Sequence, residues 1–134
     1  MFELESARHI IDFGLVVLIW LVQVAIYPSF QHVDAELLHT WHRRYVARMT
    51  WIAGPLIIAQ SLIVGGQVID SPQLTHWSSA LLVLIAWILT FGVSVPLHKR
   101  IQCEPKNEAL LKRLVLTNWP RTVTWSVIFT IGWL

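Results

Sequence analysis

The sequence predicts an all-α fold, a four-helix transmembrane bundle, on three observations. Hydrophobic residues make up 55% of the 134-residue chain and charged residues only 13%, whereas soluble domains carry about 25% charged residues. The mean hydropathy is +0.58. Apolar runs recur four times between short polar segments, and each comes close to the roughly 20 residues that cross a bilayer as a helix. We therefore expect residues 1–134 to form a single integral membrane domain within a lipid bilayer.

The four predicted spans cover residues 10–27, 46–69, 77–97 and 117–134. Pro28 should end or kink the first span, because its ring removes a backbone donor and disfavours helix at the preceding residue. Asp34 is the candidate N-cap of an extended second helix, whose amphipathic start at 35–45 leads into the second span. The fourth span is the shortest, and it crosses the bilayer only if residues 114–117 are partly embedded.

The basic residues predict an orientation. Nine of the ten Lys and Arg residues lie in or beside the segments that join spans one to two and three to four, and only Arg8 lies on the other side. Lys and Arg concentrate in cytoplasmic loops. We therefore expect both basic segments, including the amphipathic start of the second helix, in the cytoplasm and both termini on the outer side.

The remaining composition narrows the classes of function. A net charge of +2 is too small to indicate a nucleic-acid partner. Cys103 is the only cysteine, which excludes an intramolecular disulfide. The first residues are acidic and no small-residue cleavage site follows the first apolar run, so we expect that run to stay as a span. The sequence leaves open whether the protein forms a homo-oligomer.

The most unusual polar stretch covers residues 38–45 and extends to Arg48. In it His39 and His42 are three positions apart, which places their Cβ atoms about 5–6 Å from each other on a helix. With His98 from the end of the third span, they would form a three-nitrogen site for haem or a transition metal with an open position. Interfacial histidines held by hydrogen bonds are the simpler interpretation, because no H-E-x-x-H or cysteine-containing metal signature is present. The cofactor thus stays open between haem, a transition metal and none.

The fourth span carries a polar stripe, because Asn118, Arg121, Thr122 and Trp125 share one helix face by their spacing of three and four. A charge inside a span needs a partner or a wet cavity. Arg121 therefore belongs either to the wall of a functional pocket or to a structural clamp between helices. Tyr27, at the end of the first span, is a candidate for the same wall.

Polar residues at the opposite end of the spans raise the alternative of transport. A proton or cation path from Asp12 to the histidines needs a continuous polar row. Midway through the bilayer the sequence offers only Gln60 and the Trp20 N–H. We therefore favour a pocket at one side of the membrane over a transport path.

Two short segments resemble known proteins. Val95-Pro96-Leu97-His98 followed by Thr117-Asn118-Trp119-Pro120-Arg121-Thr122 resembles a group of small bacterial four-span membrane proteins of unassigned function. The Asn-x-x-Arg-Thr element followed by Trp125 more distantly resembles the anthrone-oxygenase-like membrane family. The resemblance covers about the last forty residues and the four-span layout. It implies oxidation of polycyclic aromatic phenols by dioxygen with few or no cofactors, and a location in the bacterial cytoplasmic (inner) membrane.

Under this interpretation, four residues are candidate catalytic groups. His42 or His39 removes a phenolic or benzylic proton, while Asn118 and Arg121 hold the resulting oxyanion. The candidate residues for binding a small hydrophobic ligand are Trp41, Tyr45, Arg48, Trp125 and Tyr27.

Three functions remain open. The first is a membrane oxidoreductase or oxygenase acting on a small hydrophobic aromatic or quinone-like molecule. The second is a binding protein for haem or a transition metal, with His39, His42 and His98 as ligands. The third is a structural membrane protein without catalytic activity. The sequence does not decide whether the protein is an enzyme.

Overall fold

A computed structural model describes residues 2–134, with side chains from Leu4 onward, and within that part of the chain it contains four long helices and no strand. Helix α1 consists of an α-helical part, Phe2–Leu21, a π-helical turn, Val22–Ile26, one further turn, Tyr27–Ser29, and a terminal 3-10 turn, Phe30–His32. Helix α2 is Ala35–Asp70. Helix α3 consists of Leu74–Leu89, a π-helical turn, Thr90–Ser94, and Val95–Cys103. Helix α4 is Glu108–Ile131. The all-α prediction is confirmed.

The helices form a ring in which each packs against the next along the chain and α4 closes against α1. Connections of only a few residues force consecutive helices to run antiparallel. The start of α1 and the end of α4 therefore lie at one end of the bundle, where His9 Nε2 is 2.8 Å from the Gly132 carbonyl oxygen. We call this the terminal end, and the opposite end, where Tyr27 meets His98, the relay end.

Three segments are long and apolar enough to cross a membrane: Leu4–His32, Ala35–Asp70 and Leu74–Cys103. The chain is therefore an integral membrane protein by fold. Helix α4 is not among the three, because polar residues interrupt its apolar sequence. Asn118, Arg121, Thr122 and Thr124 are nevertheless all buried, since α4 turns this polar face toward the other helices. Large apolar side chains cover the outside of the bundle instead, as a lipid-facing surface requires.

Two prolines lie directly after π-helical turns. Pro28 follows the turn Val22–Ile26 and Pro96 follows the turn Thr90–Ser94, and each stands in the first positions of the next α-helical turn. There the missing N–H of proline needs no partner. The predicted break at Pro28 is thus a widened turn before the proline, and helix continues to His32. Single π-helical turns of this kind are frequent at functional sites.

The helix starts follow the sequence in part. Asp34 occupies the N-cap position of α2 as predicted, but its side chain makes no capping hydrogen bond. Asn107 does cap α4, because its Oδ1 accepts a hydrogen bond from the Leu110 N–H at 3.2 Å. That cap fixes where α4 begins.

Candidate functional site

A hydrogen-bonded relay connects three helices at the relay end. The Tyr27 hydroxyl of α1 lies 2.9 Å from His98 Nε2 of α3, and His98 Nδ1 lies 2.8 Å from His42 Nε2 of α2. Each of the two bonds holds one proton. If Tyr27 donates, His98 Nδ1–H donates in turn to His42; if His42 donates, the order reverses and His98 Nε2–H donates to the hydroxyl. A concerted shift from the first order to the second puts a second proton on His42 and leaves Tyr27 to take one from outside the relay.

The relay is enclosed by aromatic rings. The Phe30 ring centroid lies 5.3 Å from that of His42 and 5.2 Å from that of Tyr45. His42 is fully buried, and its Nδ1 has no hydrogen-bond partner. A buried ring nitrogen without a partner is costly, so the surrounding fold holds His42 in place against that cost.

Arg121 brings a positive charge into the same region. The residue is 9% exposed, and its Nη1 donates hydrogen bonds to Ser94 Oγ and to Asn118 Oδ1, both at 3.0 Å. Its guanidinium carbon lies 5.2 Å from the centroid of the Trp125 ring, a cation–π contact. The Nε atom has no hydrogen-bond partner. Among residues 4–134 the ion pairs are Arg8–Asp12 and Arg100–Glu104, so no carboxylate neutralises this buried guanidinium.

A buried amide network holds the Arg121 side of the site. Gln23 Oε1 accepts hydrogen bonds from Asn118 Nδ2 at 2.9 Å and from Thr122 Oγ1 at 3.1 Å. Because Asn118 Nδ2 is engaged by Gln23, its Oδ1 is oriented toward Arg121. Ser94, the other acceptor for Arg121, was not predicted; a lone serine in an apolar span gives little signal, and only its position before Pro96 marks it.

A cavity of about 50 Å³ lies between the relay and Arg121. A water molecule needs roughly 10–15 Å³ by this measure, so a few water-sized groups fit. A groove of about 130 Å³ lies outside it, on the surface of α2. Tyr45 and Met49 line both spaces and form the wall between them. The remaining lining residues of the cavity are Leu15, Leu18, Ile19, Val22, Tyr27, Ala53, Ile57, Arg121 and Trp125.

The structure brings most of the predicted site residues together, and leaves three apart. Those that meet in the relay or around the cavity are His42, His98, Tyr27, Tyr45, Asn118, Arg121 and Trp125. Trp41 and Arg48 line only the outer groove. His39 Nε2 instead lies 2.7 Å from the Glu104 carbonyl oxygen at the end of α3.

The predicted three-histidine metal set is therefore reduced to a pair. Although His39 and His42 are neighbours on α2, the helix turns His42 into the core and His39 sideways toward the loop after α3. Within residues 4–134, no three His, Cys, Asp or Glu side chains are arranged to hold a metal ion. Glu104, whose backbone carbonyl lies next to His39, is also bound through its side chain. The Arg100 guanidinium donates a hydrogen bond to the Glu104 carboxyl and so holds the pKa of that carboxyl below its usual value.

A second polar cluster lies at the terminal end. Arg8 donates hydrogen bonds to Gln67 at 2.7 Å, to Ser79 at 2.6 Å and to Asp12 at 3.3 Å. A cavity of about 520 Å³ opens beside it. It is larger than the cavity at the relay, but Arg8, Gln67 and His9 on its wall are bound to protein groups, and Arg8 is neutralised by Asp12. We therefore place the candidate site at the relay end.

The two clusters are joined by buried hydrogen bonds, a connection that the sequence interpretation did not find. Gln60 Nε2 donates to Asp12 Oδ1 at 2.6 Å, and Trp125 Nε1 donates to Gln60 Oε1 at 3.1 Å, while the Trp125 ring faces Arg121. The row crosses from α1 to α2 to α4, so it is invisible along any single span. An indole N–H only donates. The row thus joins the clusters by fixed hydrogen bonds and does not form a chain of exchanging protons.

Comparison of the chain with protein-family models, with curated proteins and with solved structures gave no match. The class is accordingly defined by fold and site alone. The protein is an all-helical integral membrane protein with a buried Tyr–His–His relay beside a buried arginine. No family follows from these comparisons.

Proposed function

We propose that the protein is a membrane oxidoreductase that exchanges protons with a small hydrophobic phenol or quinone-like molecule. One observation carries the proposal: Tyr27, the end of the relay, and Arg121, a buried cation without a carboxylate partner, line the same cavity. A buried guanidinium in a membrane protein favours an anionic partner. The oxyanion of a bound ligand would supply it.

The residues have separate roles in this chemistry. The ligand's hydroxyl oxygen enters the cavity and passes its proton to Tyr27 as Tyr27 passes its own to His98 and His98 to His42. Arg121, whose side chain is buried, stabilises the oxyanion that remains. Asn118 acts through Arg121 as a positioning residue. A hydroquinone held as this oxyanion then gives two electrons and its second proton to dioxygen, the oxidant implied by the anthrone-oxygenase resemblance. The relay returns the first proton, so that the ligand leaves as the quinone and dioxygen as hydrogen peroxide.

The size of the cavity limits how the ligand binds. A space of about 50 Å³ is smaller than the roughly 150 Å³ that holds a benzene molecule. Only the oxygen-bearing edge of an aromatic ligand fits behind the wall formed by Tyr45 and Met49. The ring system would extend out of the cavity past Leu18, Ala53 and Ile57, lining residues of α1 and α2 that are only partly buried. His39 has no role in this mechanism, because it points away from the cavity.

We also propose that α4 is the fourth span and that the relay end faces the cytoplasm of a bacterial inner membrane. The burial of the polar face of α4 against α1 and α3 supports the first point, since a helix that turns its polar face inward needs apolar residues only on its remaining surface. The distribution of Lys and Arg supports the second.

A transition metal or haem bound by His42 and His98 is the second candidate function. The unpartnered Nδ1 of His42 favours it, because neutral imidazole nitrogens are common metal ligands. The donor set fits less well, since two imidazoles fall short of the three protein ligands typical of catalytic zinc sites, and Phe30 packs on His42. Elemental analysis and an absorption spectrum of the purified protein test this candidate.

Oxidation of a lipophilic hydroquinone by the detergent-solubilised protein tests the main proposal. We expect Arg121→Gln to reduce turnover about a hundredfold, as the loss of one oxyanion donor does elsewhere, and Tyr27→Phe to reduce it by a similar factor. The matched control is Arg113→Gln, which removes an exposed guanidinium from the same helix. Equal turnover in all three variants and the native protein would refute the proposal.

A further inference from the structure

We propose that the groove on α2 binds one anionic phospholipid, a site that goes beyond the proposed redox function. The groove is lined by six residues of α2, Trp41, Arg44, Tyr45, Arg48, Met49 and Ile52. Their spacing of three and four places them in one stripe along the helix. The stripe begins at the amphipathic start of α2 and ends in its apolar part, so it crosses from the polar to the apolar zone of a bilayer.

The charges of the groove match a phosphate group. Arg44 and Arg48 are one helical turn apart on the same face, about 6 Å between Cβ atoms, and both side chains are exposed. The ion pairs among residues 4–134 involve Arg8 and Arg100 instead. Two guanidinium groups without an acidic partner, held one turn apart, can bind the oxygens of one phosphate from two sides.

The apolar side of the groove matches an acyl chain. Trp41 is 52% exposed and Ile52 is 55% exposed, on the two sides of the arginine pair along the stripe. An indole ring is favoured at the headgroup level of a membrane, and Ile52 lies about two turns deeper than Tyr45 along the helix. A lipid with its phosphate at Arg44 and Arg48 therefore places its chain against Ile52.

Because the groove adjoins the cavity, a lipid bound in the groove also contacts residues that line the cavity. Tyr45 and Met49 form the wall between groove and cavity. A headgroup and chain seated in the groove rest against the outer surface of that wall. The bound lipid thus packs against one side of Tyr45, whose other side lines the cavity.

Native mass spectrometry of the full chain in detergent tests the site directly and needs no turnover. The probes are phosphatidylglycerol and phosphatidylcholine with the same acyl chains. We expect selective retention of phosphatidylglycerol, and about a tenfold loss of its binding in the double variant Arg44→Gln/Arg48→Gln. Arg43→Gln is the matched control, because Arg43 is an exposed arginine on the opposite side of the same helix turn and does not line the groove. The control should retain the lipid.

Three results would overturn the site. Equal binding of the two lipids would show no selectivity for the anion. A loss in Arg43→Gln as large as in Arg44→Gln or Arg48→Gln alone would show general attraction to a basic surface. Displacement of phosphatidylglycerol by an equal concentration of oleate would assign the groove to free carboxylate amphiphiles. If the double variant does not fold, each single variant is measured, and each should lose part of the phosphatidylglycerol binding.

Discussion

His42 Nε2 and His98 Nδ1 lie 2.8 Å apart, although the two residues are 56 positions apart in the sequence and belong to different helices. This contact completes the hydrogen-bonded relay that runs from Tyr27 through His98 to His42. It also separates His42 from His39, its neighbour on α2, which bonds a backbone carbonyl of the loop after α3.

The two histidines of α2 should therefore respond differently to substitution. We expect His42→Phe to abolish hydroquinone turnover, because it removes the proton acceptor at the end of the relay. His39→Phe removes one hydrogen bond to a carbonyl and should lower the free energy of unfolding by about 1 kcal/mol while turnover stays near the native level. Turnover and unfolding of both variants are measured in the same detergent. An equal loss of turnover in both variants would show that His39 also belongs to the catalytic site.

The hydrogen bond between Trp125 and Gln60 should stabilise the bundle centre. Trp125→Phe leaves the buried Gln60 Oε1 without its donor, and we expect a loss of about 1–3 kcal/mol in the free energy of unfolding. Trp51→Phe is the control, because Trp51 is 83% exposed and should change stability by less than about 0.5 kcal/mol. Denaturant titration with circular dichroism compares the two. Similar losses in the free energy of unfolding in both variants would show that the hydrogen bond between Trp125 and Gln60 does not stabilise the bundle centre.

The ion pair at the terminal end should show strong coupling. Asp12→Asn leaves Arg8, which is 4% exposed, as a buried charge without its carboxylate. We expect this variant to lose about 3–5 kcal/mol of stability. The double variant Arg8→Gln/Asp12→Asn removes the charge as well and should recover part of the loss. A double variant that is destabilised by the sum of the two single losses would show that the pair is not coupled.

The proposed orientation predicts the location of the C-terminus. A fusion of alkaline phosphatase after Leu134 should be active in bacteria, because this enzyme folds only outside the cytoplasm, whereas a fusion of green fluorescent protein there should be dark. Fusions placed in the loop at Lys106 should give the opposite pair of results. Fluorescence at the C-terminus would reverse the orientation or show that α4 does not cross.

Composition and hydropathy predicted the helical class and three of the spans, because the cost of unsatisfied backbone groups in lipid leaves a long apolar run few other structures. The short turns at 71–73 and 104–107 then allowed few arrangements other than an antiparallel ring. The fourth predicted span, residues 117–134 on helix α4, stays a prediction. Its polar residues lower the hydropathy of the very helix whose polar face is buried against its neighbours.

The sequence by itself determined that the protein is helical, lies in a membrane and carries its unusual polar residues at the ends of helices, since each of these properties depends on local composition. Only the tertiary structure decided which polar groups meet. A residue's partner in a bundle depends on how each helix is rotated about its axis, and that rotation is fixed by packing against all neighbours at once. This is why His42 faces His98 while His39 does not, and why Gln60 links Asp12 to Trp125 across three helices.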